Sequence, residues 1–393
     1  MEGADYQTVA VKRAKEMGLK TILLDFNSNC PGRMYADVFE KVSTNDGEEI
    51  IKVAKKYDAD GIVCYESDQS IVTASWVCEQ LGLPGQPYES VKISQNKALF
   101  RDFLRKNGFI CPKFNGFKNK DQAIQETNCY RLPFLIKPVD SCGSKGVSVI
   151  DDYQNVEDAV DKAFAFSGKK EIIIEEYVEK SGYQIAGDGF SVNGELAFRC
   201  FANEHFDSKG KNGISPIGES FPYFKSEKIH NKIHGEIQRL LILLGMRTGA
   251  YNFDIRLDKN DDVIIMEVSP RNGGCLIPEV IQHITGMDEV GYTIKAALGE
   301  SCSDIGMRKT NGFYSSYIVH GYEKGIIKRF VLDEKLKENN IVDTRFYKKP
   351  GDAAPGFEGS DWVLGAMILK YSSMDEMLYK MDHMSDYVKV EVE

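Results

Sequence analysis

The sequence predicts a mixed fold, α/β at its front and α+β behind, with a small strand-rich tail. Three observations carry this. Residues 6–82 alternate helical and strand-like runs, the pattern of βαβ units built on a parallel sheet. Tyr183–Phe201 and Tyr251–Val268 each read as two alternating strands joined by a polar turn. Near the end, "FYSSYIVHG" and "WVLGAMILKYS" alternate like strands, with a helix near Met374–Met384.

Composition sets the bounds. The chain of 393 residues is long enough for two to four structural units and a large core. With 42% hydrophobic and 27% charged residues it reads as an ordinary globular protein, and no apolar run of about 18 residues suggests a membrane span. The opening "MEGADYQTVAVKRAKEMG" has no apolar segment after a basic one, which argues against secretion. A formal charge of −10 disfavours a nucleic-acid partner. Nine scattered cysteines without a CxxC pair read as reduced thiols in a cytoplasmic protein.

In order, Tyr6–Met17 reads as a helix stopped by Gly18, Thr21–Asp25 as a buried strand and Asp46–Tyr57 as a helix. Gly61–Tyr65 reads as a second strand, and Gln69–Leu81 as a helix ending at Gly82. Such a unit normally opens with a strand, and here the first helix comes almost at once; the expectation is a sheet lacking its first strand, or a start further upstream. Glu66, Ser67 and Asp68, at the end of a strand, either line an acceptor pocket or cap the following helix, and capping is the preferred reading.

The Pro/Gly-rich stretch Leu81–Ser90 marks a joint. Beyond it Ser94 is placed to cap a helix that buries Phe100, Phe103 and Leu104 and ends at Gly108. Lys97 falls in its first turn, the unfavourable end of the helix dipole for a cation; either a bound anion compensates or the lysine is a solvated surface residue. Pro133–Ile136 then reads as a strand ending in Lys137, followed by a loop with Gly143 and Gly146 and a strand Val147–Ile150. Bare N–H groups beside a lysine suit a polyphosphate, although a plain glycine hairpin has the same look, and neither GxxxxGK[ST] nor GxGxxG occurs.

A helix near Val156–Phe166 precedes Ile172–Ile174, a buried strand that Glu175–Val178 carry toward a connection. Asn203–Ser220 is polar and glycine-rich, and reads as a long loop, either mobile over a site or a simple connection. Glu227–Gly245 is a strong amphipathic helix; His230 and His234 lie four apart on it, but without HExxH or a third ligand they read as surface histidines.

The last hairpin holds the sharpest signal. Asp254 and Glu267 lie on paired strands and face each other if the turn register allows. Two adjacent carboxylates suit Mg²⁺ completed by phosphate oxygens. Glu267 also interrupts the apolar strand "VIIMEVS", as ligands or paired groups do, although a surface hairpin with solvated acids remains open. Arg271 and Gly273-Gly274 follow at once, a planar fork beside an approachable backbone.

Lys97, "IKPVDSCGSKGV", "IIIEEYV" and "FDIRL…VIIMEVSPRNGG", in that order, resemble the ATP-grasp superfamily, especially its carboxylate-amine ligases and the biotin carboxylase and carbamoyl phosphate synthase domains. The resemblance covers essentially the whole chain. It implies an α/β domain over 1–90, a two-part ATP-grasp domain over 91–310 with a lid at about 112–178, and a tail over 311–393. It further implies that Lys97 and Lys137 contact ATP phosphates under a loop including Gly143, Ser144 and Gly146. Glu175, Glu176 and Val178 would hold adenine, largely through main-chain groups, and Gln184 the ribose. Asp254, Glu267 and Ser269 would hold Mg²⁺, with Mn²⁺ as a substitute, and Arg271 would face the reacting carboxylate. Two positions depart from the pattern: Gln184 replaces a usual Glu, and Ser269 replaces the Asn of ExNPR, a weaker second metal site.

The activity implied is ATP-dependent carboxylate-amine ligation through an acyl phosphate, on small-molecule acids and amines, with neither nucleic acid nor membrane as partner and a homodimer open to it. The alternatives are a carboxylase working through carboxyphosphate and a non-catalytic ATP-binding regulator. Replacing Lys137 with alanine is expected to abolish turnover and leave the fold intact.

Overall fold

The computed structural model describes residues 1–207, 214–357, 359 and 362–393. Its front unit holds helices Thr8–Glu16, Gly47–Tyr57 and Asp68–Leu81 around a short parallel pair, Ile22–Leu24 with Val38–Glu40. Asp46 caps the second helix and Ser67 the third, each side chain accepting from a backbone N–H one turn in.

The expected strand Gly61–Tyr65 does not form, and the strand that pairs with Ile22–Leu24 is Val38–Glu40. The reason lies beside it. Met1 donates its amine to the Val63 carbonyl at 2.7 Å, while the Glu2 N–H reaches the Leu24 carbonyl at 2.8 Å. Residues 1–3 thus hold the position between the two segments, too few to build a ladder with either.

Past the joint the chain makes helix Tyr88–Ser94 and then helix Lys97–Lys106. Asn96, not Ser94, caps the second: its side chain accepts from the Leu99 N–H at 3.0 Å, while Ser94 ends the first helix and turns its hydroxyl to the Val91 carbonyl. The segment expected as a lid forms a four-stranded antiparallel sheet in the order Phe114–Phe117, Ile172–Glu176, Phe134–Pro138, Ser148–Ile150. Period-two alternation sorts its faces. Ile172 and Ile174 join Phe134, Ile136 and Val160 of helix Val156–Phe166 in one core, whereas Ile173 turns to Ala98 and Val139.

The central sheet has eight strands, in the order Val263–Ser269, Gly249–Leu257, Gln184–Val192, Glu195–Phe206, Pro216–Phe221, Phe313–Val319, Gly365–Tyr371 and Ile341–Phe346. Tail strands therefore continue the sheet that carries the carboxylate hairpin. Much of the expected loop Asn203–Ser220 is strand: the strand begun at Glu195 runs on to Phe206, buried without a break from Phe198 to His205, and Pro216–Phe221 pairs back onto it. Residues 208–213 of that expectation lie outside the described residues. Helix Glu227–Leu243 covers one face with Ile233, Ile237, Leu240 and Leu241, all buried against Tyr251, Phe253 and Leu257. Each such side chain contributes about 1.5–3 kcal/mol of burial, which fixes the hairpin that carries Asp254 and Glu267. Among the described residues no helix is long and apolar enough to cross a membrane.

Candidate functional site

Where the small four-stranded sheet meets the central sheet, a cleft of about 250 Å³ gathers side chains from segments between Asp68 and Arg271. Asp68, Lys97, Lys137, Gly143, Ser144, Gln184, Asp254, Glu267, Ser269 and Arg271 all line it. Glu175, Glu176, Val178 and Gly146 stand behind or beside its wall. A roomier cavity of about 310 Å³ lies in the front unit, but its walls are mainly aliphatic, including Leu23, Ile50, Val63 and Leu298, so the smaller cleft is the chemical one.

Two lysines reach the cleft, one from helix Lys97–Lys106 and one from strand Phe134–Pro138. Lys97, first residue of its helix, donates to the Ser141 carbonyl at 2.8 Å and stands 3.4 Å from Glu267. Burial works against its charge, but Glu267 and Asp68 outweigh it and raise the pKa. Lys137 lies within strand Phe134–Pro138 and reaches the Glu175 carboxylate. Arg101, one turn after Lys97, grips the other Glu175 oxygen at 2.9 Å and donates to the Met266 carbonyl at 2.8 Å. Against the cost of its burial, Arg101 and Lys137 pull Glu175 down to a pKa of about 2.

Glu175 does not offer a spare main chain, since strand Ile172–Glu176 is paired on both sides, to Phe114 and to Leu135. Glu176 accepts from the Lys113 N–H at 3.3 Å. The Val178 carbonyl accepts from Arg256 at 2.6 Å, and the same guanidinium donates to Gln184 Oε1 at 2.7 Å. Gln184 in turn donates to Glu204, its cross-strand partner and another lining residue.

The lid loop needs its glycines. Gly143 and Gly146 have φ of +64° and +71°, and a Cβ on Gly146 would meet Phe166 Cβ at 2.7 Å. Ser144 closes the loop down by donating to the Ile214 carbonyl at 3.1 Å.

Asp254 and Glu267 are direct cross-strand partners, so both carboxylates face the cleft. Burial first, and Glu267 second, push Asp254 up to a pKa of about 7. Two acids held so close fit a divalent cation, which would reverse both effects. Ser269 is buried behind them, its hydroxyl accepting from Gln95 Nε2 at 3.1 Å.

Arg271 is not open on all sides. Its Nε and Nη2 hold both oxygens of Asp68 at 2.8 Å, and Nη1 donates to the Asn272 carbonyl at 2.9 Å. Of residues 66–68, Ser67 caps the helix, as the preferred reading has it, while Asp68 lines the cleft. His230 and His234 lie elsewhere; His230 packs against Arg199 and the Tyr223 carbonyl, and among the described residues no group of three or more His, Cys, Asp and Glu is gathered for a metal. All nine cysteines are free.

Sequence reasoning missed Arg101, Glu204 and Arg256. The helical spacing of Arg101 from Lys97 was visible; nothing in the sequence placed Glu204 opposite Gln184.

Residues 130–279 match the family described as ATP-grasp domain. A carbamoyl phosphate synthase large chain of Clostridium beijerinckii is 23% identical over 311 residues, which is 77% of this chain and 28% of that one, so this chain spans little more than a quarter of that relative. Among solved structures, an L-amino acid ligase of Bacillus licheniformis superposes with TM-score 0.79 at 20% identity, covering 98% of this chain and 96% of that one. The biotin carboxylase domain of a Hydrogenobacter thermophilus 2-oxoglutarate carboxylase, a dimer in complex with MgADP and bicarbonate, superposes with TM-score 0.75 at 15% identity, covering 99% and 89%. The fold is that of ATP-grasp proteins, and this chain carries an ATP-grasp domain.

Proposed function

We propose that this ATP-grasp domain serves an ATP-dependent carboxylate-amine ligase, which activates a small carboxylic acid as an acyl phosphate and passes the acyl group to an amine. One observation carries the reading: a single cleft brings two lysines, a glycine loop, a paired-carboxylate site and an arginine into contact with one cavity. The names of the L-amino acid ligase and of the biotin carboxylase neighbour support ATP-dependent acid activation in this fold.

Lys97 and Lys137 bind the phosphate chain, with Glu175 and Arg101 as positioning residues that hold the Lys137 ammonium against the strand. Gly143 to Gly146 close over the phosphates and keep water from an acyl phosphate that would otherwise hydrolyse. Gln184, oriented by Arg256, takes the ribose, and the Glu176–Val178 segment borders the base. Asp254 and Glu267, with Ser269 behind them, would hold Mg²⁺, which supplies charge neutralisation on the transferring phosphoryl group. Three of the five Arg271 N–H donors are taken, so two remain to orient the substrate carboxylate for in-line attack on the γ-phosphorus. ADP departs, and the amine then displaces phosphate.

The test is ADP release by the purified chain with MgATP, a panel of carboxylic acids and an amine. Acid- and amine-dependent release with amide formation supports the ligase. Release that needs bicarbonate instead would move the assignment to a carboxylase, and ATP binding without release to a regulator.

A further inference from the structure

Glu204 is a buried acid on the wall of the cleft that the reaction above leaves without a task. It is 6% exposed, lines the cavity, and accepts from the Gln184 amide with one oxygen. Its other oxygen has no hydrogen-bond partner among the described residues. Buried carboxylate oxygens are normally paired, so one left open at a cavity wall calls for a ligand that donates.

The neighbours decide which donor fits. Arg256 can only donate, and its Nε holds Gln184 Oε1 at 2.7 Å, which fixes the amide with its nitrogen toward Glu204. One Gln184 N–H then remains, next to the open oxygen of its cross-strand partner. Such partners have Cβ atoms about 5 Å apart, a spacing that lets an acceptor and a donor reach adjacent hydroxyls of one sugar. Burial and Asp254 disfavour the Glu204 charge, while Lys180 and Arg256 favour it. With two cations already beside it, the acid does not select a third. The place along the sheet identifies the sugar. Arg256 follows Asp254 by two residues on one strand, so it shares the cleft face about 7 Å further on. The row on the other side of Asp254, Asn252 with Ser269, leads instead to Arg271. A nucleotide with its phosphates at the lysines and the acid pair therefore lays its ribose on the Arg256, Gln184 and Glu204 row.

We propose that Glu204 selects a ribonucleotide: its open oxygen accepts one hydroxyl of the ribose 2′,3′-diol, while the free Gln184 N–H meets the other. This rests on the ATP assignment above. Glutamine at 184 has its oxygen held by Arg256, and Glu204 supplies the charged acceptor from the neighbouring strand.

Titration calorimetry of the whole chain with MgADP and with the magnesium complex of 2′,3′-dideoxy-ADP tests this without turnover. The wild type is expected to bind ADP about tenfold to a hundredfold more tightly than the dideoxy nucleotide. In Glu204→Gln the new amide must offer its oxygen to the Gln184 N–H and turn its NH2 to the cleft, so the acceptor is lost while the side chain keeps its shape. The preference for ADP is expected to fall at least about fivefold, with Kd for the dideoxy nucleotide unchanged. Should E204Q not fold, Glu204→Ala carries the same comparison. Equal binding of the two nucleotides by the wild type overturns the role of Glu204 and leaves the phosphate and metal site standing. So does a preference that the variant keeps, whether by binding both nucleotides as before or by losing both equally. If the wild type binds neither nucleotide, the ATP reading itself falls and takes this inference with it.

Discussion

Replacing Lys137 with methionine removes a charge that the structure uses twice. The lysine side chain is 10% exposed and its partner Glu175 is fully buried, so methionine keeps the aliphatic packing and deletes only the ammonium. Glu175 holds a pKa of about 2 against an ordinary 4.5, a gap equivalent to about 3 kcal/mol of folding stability. Arg101 stays bound, so the buried carboxylate is not left bare, and the expected cost at pH 7 is about 1.5–3 kcal/mol in denaturant unfolding. The fold-neutral outcome expected from sequence is thereby revised: K137M or K137A should lose stability as well as turnover. The pH dependence gives an independent reading. Glu175 is depressed by folding, so its contribution is complete above about pH 4.5 and is lost as pH falls toward about 2. In K137M its folded-state pKa moves back toward 4.5, and the stability lost across that window shrinks. ATP-dependent turnover should drop at least about a hundredfold if the lysine stabilises the transferring phosphoryl group. Wild-type stability with an unchanged acid limb would refute the ion pair, and near-wild-type turnover would refute the phosphate role.

Three further outcomes follow from the same geometry. Gly146→Ala places a Cβ at a φ of +71° and within 2.7 Å of Phe166, and should cost about 1–3 kcal/mol, seen as faster amide exchange in the lid. Asp68→Asn weakens the hold on Arg271, so kcat/KM for the acid should fall about tenfold while ATP binding, measured by nucleotide fluorescence, is unchanged. His205 is buried between Asp382 at 2.7 Å and Ser220 at 2.8 Å, and burial lowers its pKa; its contribution is complete above about pH 6.5 and is lost on acidification. Asp382→Ala should therefore lower the thermal midpoint at pH 7 and steepen its decline below pH 6.5.

How much was legible differs element by element. Helices Gly47–Tyr57 and Asp68–Leu81 were readable because their caps and apolar spacing are local, and Val156–Phe166 by its apolar spacing alone. So were three strands of the small sheet, where Ile172–Ile174 leaves little else to form, but its edge strand Phe114–Phe117 was not read. Gly61–Tyr65 misled because it has strand composition without an adjacent strand to pair with, and strand formation depends on that partner. The order of Lys97, Lys137, Asp254, Glu267 and Arg271 along the chain was enough to name a phosphate and metal chemistry; the partners that restrain them, Arg101 and Asp68, come from segments whose contact is not local.

What the sequence by itself determined was the set of candidate side chains and the hairpin that carries two of them. What only the tertiary structure decided was their facing. Next to its turn the hairpin pairs Leu257 with Val263, a register that would carry Met266 opposite Asp254 and turn Glu267 to the other face. A bulge between Asp254 and Ile255 shifts the pairing by one residue and sets Asp254 opposite Glu267. The same device, between Phe190 and Ser191, brings Glu204 rather than Asn203 opposite Gln184. A bulge is stabilised by the packing of the whole sheet and leaves no local mark in composition, which is why the acid pair could be suspected from the sequence and only the folded sheet could place it.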